Sequence, residues 1–326
     1  MTLKRIHAPH LGRDVVFGRK RSPHAPHMRL RDYMAKLPTY PGSADFTAKG
    51  APSLSQMFGN DALGDCVIAG ANHIFGVETG NAGNCVVTPE AQIVKEYSAI
   101  GGYVPGDPST DQGCDLVTAL NYYVKSGQLL AWLAVDGANF AEVQAALWLF
   151  ENLYFGMELP DAWVNPMPSG PGFTWGVAGP QDGNNGHCVP GAAYDSTGVT
   201  IDTWAMLGKI TPEAIAEYAT AKNGGELFVM LSPLQLPKGQ AKAPNGVAWS
   251  DILADFNAMG GTVAVPSPAP SPSPTPAPAG TVVTLSLTQG WTAAGINAAP
   301  DELMTKEQAI TAANVAGLAA NWPVSP

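Results

Sequence analysis

Apolar residues spaced three or four positions apart recur through the middle of the chain and predict helices. These segments lie near residues 66 to 78, 90 to 100, 115 to 126 and 139 to 150. Shorter runs of alternating, β-branched and aromatic residues follow between clusters of Gly, Pro and Asn, and they predict strands. The predicted strands are Leu153 to Leu159, His187 to Tyr194, Val199 to Trp204 and Glu226 to Leu231. Because the helices come first and the strands later, an α+β fold is favoured over repeated βαβ units.

The two ends of the chain lack this pattern. Residues 1 to 36 keep no period of 3.6 or 2, so we expect an extended arm ahead of a domain at 37 to 260. A linker follows at 261 to 280, and its seven prolines between 266 and 278 predict a polyproline-II spacer rather than a ligand for SH3-type domains. The last segment, 281 to 326, is too small for a core of its own, so we expect it to dock on another body.

The composition is that of a globular protein with no predicted membrane span. Of the 326 residues, 45% are hydrophobic and 13% are charged, which suffices for a core. No run approaches the ~20 apolar residues that cross a bilayer, and the N-terminus lacks the apolar stretch of a secretory signal. The four cysteines are too few for a disulfide scaffold, and no pair has Cys-x-x-Cys spacing. We therefore expect a cytoplasmic or virion-associated protein that needs no cofactor, metal or membrane.

Charge is divided unevenly along the chain. Residues 1 to 36 hold nine Lys and Arg against two Asp, so the arm carries +7, and the remaining eight bases against 25 acids carry −17. Such an arm can lie across the acidic body, bind an acidic partner, or be removed as a pro-segment. Nucleic acid is a candidate partner only for the arm, because the body is too acidic to present a basic face.

Cys66 is a candidate nucleophile because it stands at the predicted start of a helix. Backbone N–H groups and the positive end of the helix dipole favour a thiolate at that position. The alternative is a small buried hydrophobic residue.

His187 and Asp202 are candidates for a base and for the group that orients it. They stand on two consecutive predicted strands, which a hairpin would bring together. A base in nucleophilic catalysis needs a third group that accepts its other ring N–H, and a carboxylate can do this. The alternatives are a structural histidine and a turn carboxylate. His73 lies two helical turns beyond Cys66, too far to share its proton, and is expected to be a core or surface residue.

Four landmarks together resemble the papain-like cysteine peptidases. Asn60 precedes Cys66 by six residues, as the oxyanion-hole Gln precedes the nucleophile in that family. The pair Gly113-Cys114 stands before a helix where the family has Gly-Gly. His187 begins a strand, and Asp202-Thr203-Trp204 follows at the interval of the family's Asn-Ser-Trp. The order and the intervals of the four landmarks carry the resemblance.

This resemblance, which covers residues 37 to 232, implies a helical N-terminal half around a central Cys-bearing helix and an antiparallel β C-terminal half. It implies Cys66 as nucleophile, His187 as general base and acid, and Asp202 as the orienting group. Asn60 and the Cys66 N–H would form the oxyanion hole. Gly113, with Cys114 beside it, would bind an extended substrate through main-chain hydrogen bonds of Gly113, and Trp204 would shield the His187 and Asp202 pair from water.

The chain departs from the family pattern around the nucleophile. Asn60 is one methylene shorter than Gln, and Asp65 places a carboxyl group beside the thiol, where an anion would oppose thiolate formation. Val67 replaces the aromatic residue that usually follows the cysteine. Asp202 in place of Asn still accepts the imidazole N–H and stabilises imidazolium more strongly.

Two functions therefore remain open. One is a papain-like peptidase or amidase that cleaves a peptide or protein substrate by Cys-His-Asp acyl transfer. The other is a weakly active or inactive assembly protein of a phage or bacterial particle, attached to protein partners through the basic arm and the Pro-linked tail. A metal site is disfavoured because the spacing of its candidate ligands does not resemble a compact set. Those ligands are Cys66, His73, His187 and Cys188.

Overall fold

The computed structural model describes residues 3–22, 28–33 and 39–235. The expected linker at 261 to 280 and the expected docking segment at 281 to 326 lie outside the described residues. So do the last residues expected for the arm and for the domain.

Seven α-helices belong to the described ranges, and most lie in the first half of the chain. The four predicted helical segments are all confirmed, with the bounds of α2, α3, α4 and α5. The helices are α1 (Thr47–Leu54), α2 (Cys66–Asn81), α3 (Glu90–Gly101), α4 (Leu116–Lys125), α5 (Phe140–Phe150), α6 (Asp161–Val164) and α7 (Pro212–Tyr218). In the described parts of the chain, none is long and apolar enough to cross a membrane.

The strands are short near the N-terminus and longer in the second half. They are β1 (Arg5–Ala8), β2 (Arg13–Val16), β3 (Arg19–Lys20), β4 (Ala44–Asp45), β5 (Cys114–Asp115), β6 (Ala131–Ala134), β7 (Leu153–Pro160), β8 (Thr174–Trp175), β9 (Gln181–Asp195), β10 (Gly198–Thr203), β11 (Met206–Ile210) and β12 (Glu226–Leu231). The four predicted strands correspond to β7, β9, β10 and β12. The Gly- and Asn-rich run before His187 was expected to separate strands, but β9 already begins at Gln181.

An eight-stranded sheet organises the second half of the chain. Its order is β6-β12-β7-β9-β10-β11-β8, with β4 paired to β9 outside this path. The pairs are antiparallel except for β11 with β8. Helices that come first and a mostly antiparallel sheet that comes later make this an α+β fold, as the sequence predicts.

Helix α2 runs through the core between the other helices and the sheet. Thirteen of its 16 residues are buried, and a helix that is apolar on all sides belongs in a protein interior. Gly70 lets it approach β9 closely, because a Cβ at that position would lie 3.1 Å from the Cys188 sulfur. The start of α2, and with it Cys66, is thereby held against β9.

The basic arm lies on the acidic body. Its first part is a β1–β2 hairpin, which the absence of a sequence period did not predict. The arm then continues through β3, which pairs in parallel with β5. Ion pairs hold it along its length: Lys4 contacts Asp161 and Asp182, Arg13 contacts Asp61, Arg19 contacts Glu226, and Arg21 contacts Glu158.

Candidate active site

Cys66 is the first residue of α2 and is buried, with 1% of its surface exposed. The backbone N–H groups of Gly18 and Cys188 lie beside its sulfur and act to lower the pKa of the thiol. Burial raises the pKa of the Cys66 thiol to about 12 despite these donors. The thiol is therefore neutral at physiological pH in this state.

His187 lies on β9, directly before Cys188, whose backbone N–H lies beside the Cys66 sulfur. Its Nε2 lies 2.9 Å from Thr203 Oγ1, while its Nδ1 is buried without a hydrogen-bond partner. Burial lowers the pKa of His187 to about 3. The imidazole is thus neutral. Thr203 contacts one ring nitrogen, and the other has no hydrogen-bond partner.

Trp204 covers the imidazole. Its ring stacks on His187 with centroids 4.1 Å apart, and Phe17 from the arm meets both rings edge-on. Trp204 and Ala205 form the turn after β10 with φ values of 48° and 58°. Positive φ at both central residues is typical of a two-residue hairpin turn, and this turn joins β10 to β11.

The sequence predicts that Asp202 orients His187, but Asp202 does not contact this histidine. The predicted triad of Cys66, His187 and Asp202 is corrected accordingly. Oδ2 of Asp202 lies 3.5 Å from Nε2 of His73, which is a buried residue of α2. Successive side chains of a strand point to opposite faces, so Asp202 and Thr203 cannot both face the imidazole. A register shift in β10 between Thr200 and Ile201 accompanies the placement of Thr203 on that side.

The Asp202 and His73 pair is buried and electrically neutral. Burial raises the pKa of Asp202 well above its usual range and lowers the pKa of His73 to about 4. His73 is also held through Nδ1, which lies 3.0 Å from the Ser53 carbonyl oxygen. The pair therefore joins α1, α2 and β10 rather than serving the candidate base.

Asn60 and Asp65 lie buried on the loop that leads into α2. The Asn60 side-chain amide donates to the Leu63 carbonyl oxygen at 3.4 Å. Burial raises the pKa of Asp65 well above its usual range, which favours the neutral acid. The expected repulsion between this carboxyl group and a thiolate is weakened accordingly.

Gly113 and Cys114 contact an extended peptide, which is the arm. The Cys114 N–H donates to the Gly18 carbonyl oxygen at 3.0 Å. Gly113 itself donates to the Tyr97 hydroxyl, so the main-chain donor is Cys114 and not Gly113 as expected. Gly113 has φ +72°, and a Cβ there would lie 1.9 Å from the Gly18 oxygen. Its contribution is space for a peptide backbone.

The arm closes the site. A Cβ on Gly18 would lie 1.8 Å from the Gly64 oxygen, and one on Gly186 would lie 2.1 Å from the Arg19 oxygen. The arm backbone is thus pressed between the loop before α2 and β9. His10 in the β1–β2 turn contacts the Trp204 carbonyl oxygen from the same side.

Comparison with known proteins identifies the architecture. No family model and no curated protein matches the sequence. Xylellain, a cysteine protease from Xylella fastidiosa, is similar with a TM-score of 0.50 at 12% identity, over 71% of this chain and 99% of its own. The chain has a papain-like fold.

Two further structures are similar to the chain at lower scores. The Carica candamarcensis cysteine protease CMS1MS2 has a TM-score of 0.42 at 16% identity, over 59% of this chain and 99% of its own. The digestive procathepsin L2 proteinase of Tenebrio molitor larval midgut has a TM-score of 0.48 at 13% identity, over 66% of this chain and 78% of its own.

Sequence reasoning about this papain-like fold missed the arm residues and Thr203. Thr203 stands beside Asp202, and strand alternation shows only that one of the two faces the imidazole. The sequence showed that the arm is basic. It did not indicate that the arm residues Phe17, Gly18 and Arg19 lie in the site.

Metal ligands do not gather at the site. Within residues 3–22, 28–33 and 39–235, no group of three or more His, Cys, Asp or Glu side chains is arranged to hold a metal ion. All four cysteines are free thiols.

Proposed function

We propose that the chain is a latent papain-like cysteine peptidase with Cys66 as nucleophile and His187 as general base and acid. One observation carries the proposal: the groove at Cys66 holds an extended peptide backbone, which is residues 17 to 20 of the same chain. The Cys114 N–H pairs with that backbone, and the glycines around it leave room for it. A groove of this kind suits a peptide substrate.

The chemistry would be acyl transfer. Thr203 contacts Nε2 of His187, and Nδ1, which has no hydrogen-bond partner, would take the Cys66 proton. The thiolate would attack the carbonyl carbon of a peptide, and the imidazolium would then protonate the leaving amine. N–H groups at the start of α2, with Asn60 once its side chain turns from Leu63, would stabilise the oxyanion.

The arm acts in this proposal as a block and not as a substrate. The backbone N–H of Gly18 lies beside the Cys66 sulfur, and the Gly18 carbonyl oxygen accepts a hydrogen bond from the Cys114 N–H. The sulfur therefore faces a hydrogen-bond donor, whereas cleavage requires a carbonyl carbon within reach. Displacement of the arm is the step that would open the site.

The two pKa shifts agree with latency. Burial sets the pKa of Cys66 at about 12 and that of His187 at about 3, so proton transfer from thiol to imidazole is strongly disfavoured. Hydration of the groove after arm displacement would lower the first pKa and raise the second. An active pair needs both values nearer to neutral pH.

The test uses the full chain with Gly18→Ala, because the added Cβ cannot fit against the Gly64 oxygen. The matched control is Gly42→Ala, where a Cβ meets nothing within 4 Å. We expect Gly18→Ala to raise both iodoacetamide labelling of Cys66, followed by peptide mass spectrometry, and hydrolysis of a fluorogenic peptide library. The second substitution Cys66→Ala should abolish hydrolysis, whereas Cys85→Ala should not.

A non-catalytic assembly module is the second candidate function, and the burial of Cys66 and His187 favours it. If Gly18→Ala exposes Cys66 to labelling but no peptide of the library is hydrolysed, the peptidase proposal fails and the assembly function remains. If hydrolysis appears and survives Cys66→Ala, the assignment of the nucleophile is wrong.

A further inference from the structure

The arm places one arginine deep in the body beside the candidate nucleophile. The side chain of Arg19 is completely buried, and its Nη2 lies 2.6 Å from Glu226 Oε1. Its backbone directly follows Gly18, whose N–H lies beside the Cys66 sulfur. The guanidinium thus occupies a pocket one residue away from the point where the arm meets the thiol.

The pocket is shaped for a long side chain. Gly156 on β7 forms one wall, and a Cβ there would lie 3.0 Å from Arg19 Nε and 2.9 Å from Leu116 Cδ1. Glu226, the first residue of β12, carries the carboxylate that meets the guanidinium. It also accepts hydrogen bonds at 2.7 Å from the backbone N–H and the hydroxyl of Ser22.

This ion pair differs from the others that hold the arm. The side chains of Arg13 and Arg21 are 55% and 58% exposed in their pairs, and exposed pairs contribute little to stability. Arg19 is enclosed, and its Nε and Nη1 have no hydrogen-bond partner. The guanidinium is therefore held in the pocket through Nη2 and Glu226.

We propose that this pocket is an arginine-binding subsite of the groove and that Glu226 selects the arginine. Its role in substrate choice rests on the proposed peptidase function. When the arm leaves, Glu226 loses its cation, and a partly buried carboxylate without a partner is unfavourable. An arginine side chain of an incoming peptide restores the pair. An aliphatic side chain leaves the carboxylate unpaired, and a glutamate repels it.

The first test measures binding without any turnover. In the full chain, Arg19→Ala empties the pocket, and ethylguanidinium serves as the probe with the neutral ethylurea as its control. We expect ethylguanidinium to bind with a dissociation constant of about 1 mM, seen as a saturable rise in melting temperature. The rise should disappear in Arg19→Ala/Glu226→Gln and should be absent from Arg13→Ala, which removes an exposed cation from the same arm.

The second test measures selection in Gly18→Ala, so it does not depend on the folding of Arg19→Ala. Peptide pairs that differ only by arginine or norleucine at one position are compared in kcat/KM. We expect arginine to be favoured by about 10- to 100-fold at one position, and Glu226→Gln to remove most of that preference. Hydrolysis without an arginine preference, or with one that Glu226→Gln leaves unchanged, would overturn the proposal while the peptidase function stands.

The two tests separate the proposals. Glu226-dependent binding of ethylguanidinium without any peptide hydrolysis supports the arginine pocket and removes the peptidase function. Binding that is equal for ethylguanidinium and ethylurea, or that survives Glu226→Gln, overturns the pocket.

Discussion

Nε2 of His187 lies 2.9 Å from Oγ1 of Thr203, on the strand position next to Asp202. A hydroxyl can accept the ring N–H and fix the ring, but it adds no negative charge that would stabilise imidazolium. Nδ1 is the nitrogen left without a partner. The contact between Nε2 and Thr203 thus leaves Nδ1 as the ring nitrogen that can exchange a proton.

Removing the Thr203 hydroxyl should impair the proposed peptidase activity. Thr203→Val keeps the shape and leaves Nε2 buried without a partner, which costs about 1–3 kcal/mol. In the Gly18→Ala chain we expect kcat/KM to fall by about 10- to 100-fold. Thr200→Val on the same strand is the control and should change it little. A larger effect of Asp202→Asn than of Thr203→Val would restore Asp202 as the orienting group.

The protonation of His187 should report whether the arm is in place. Burial lowers its pKa to about 3, so the imidazole of the unmodified chain should show no titration between pH 5 and 8 by NMR. In Gly18→Ala the midpoint should move upward towards the usual 6.5, because water reaches the ring. Gly42→Ala should leave the titration unchanged. A midpoint near 6.5 in the unmodified chain would contradict the closed site.

Removing the ring of Phe17 should loosen the arm. Its side chain is 2% exposed and packs on His187 and Trp204, and truncation of a buried phenylalanine costs about 3–5 kcal/mol. If that cost falls on arm docking, Phe17→Ala should accelerate labelling of Cys66 by at least about 100-fold. Ile6→Ala, in the β1–β2 hairpin, is the comparison. Equal labelling of the two variants would show that Phe17 does not close the site.

Glu78 should make stability depend on pH. Burial raises the pKa of Glu78 from 4.5 to about 8. Between pH 4.5 and pH 8, the folded state therefore keeps a proton that the unfolded state has released. The contribution to stability is complete below pH 4.5 and is lost as pH rises through 8. Urea unfolding at pH 5 and pH 9 should show that Glu78→Gln reduces this loss by on the order of 3 kcal/mol.

The control for Glu78 is Glu90→Gln, which changes an exposed carboxylate on α3. It should leave the pH dependence of unfolding as it is in the unmodified chain. If Glu78→Gln and the unmodified chain lose the same stability between pH 5 and pH 9, the proton is not held at Glu78.

The sequence alone was sufficient to predict the main helices and strands and the elements that carry Cys66 and His187. Helix and strand periods are local, so they located α2 within a few residues, placed Cys66 at a helix start and placed His187 on a strand, although β9 begins earlier, at Gln181. The order and intervals of the landmarks pointed to the papain-like fold, which the structural comparison supports.

Only the tertiary structure decided what surrounds those residues. Whether Asp202 or Thr203 faces His187 depends on strand register, and a shift of one residue exchanges the two faces. The placement of Arg19 against Glu226 joins positions 207 residues apart. No local pattern records such a contact, because it exists only once the helical and sheet parts have packed and left a groove between them for the arm.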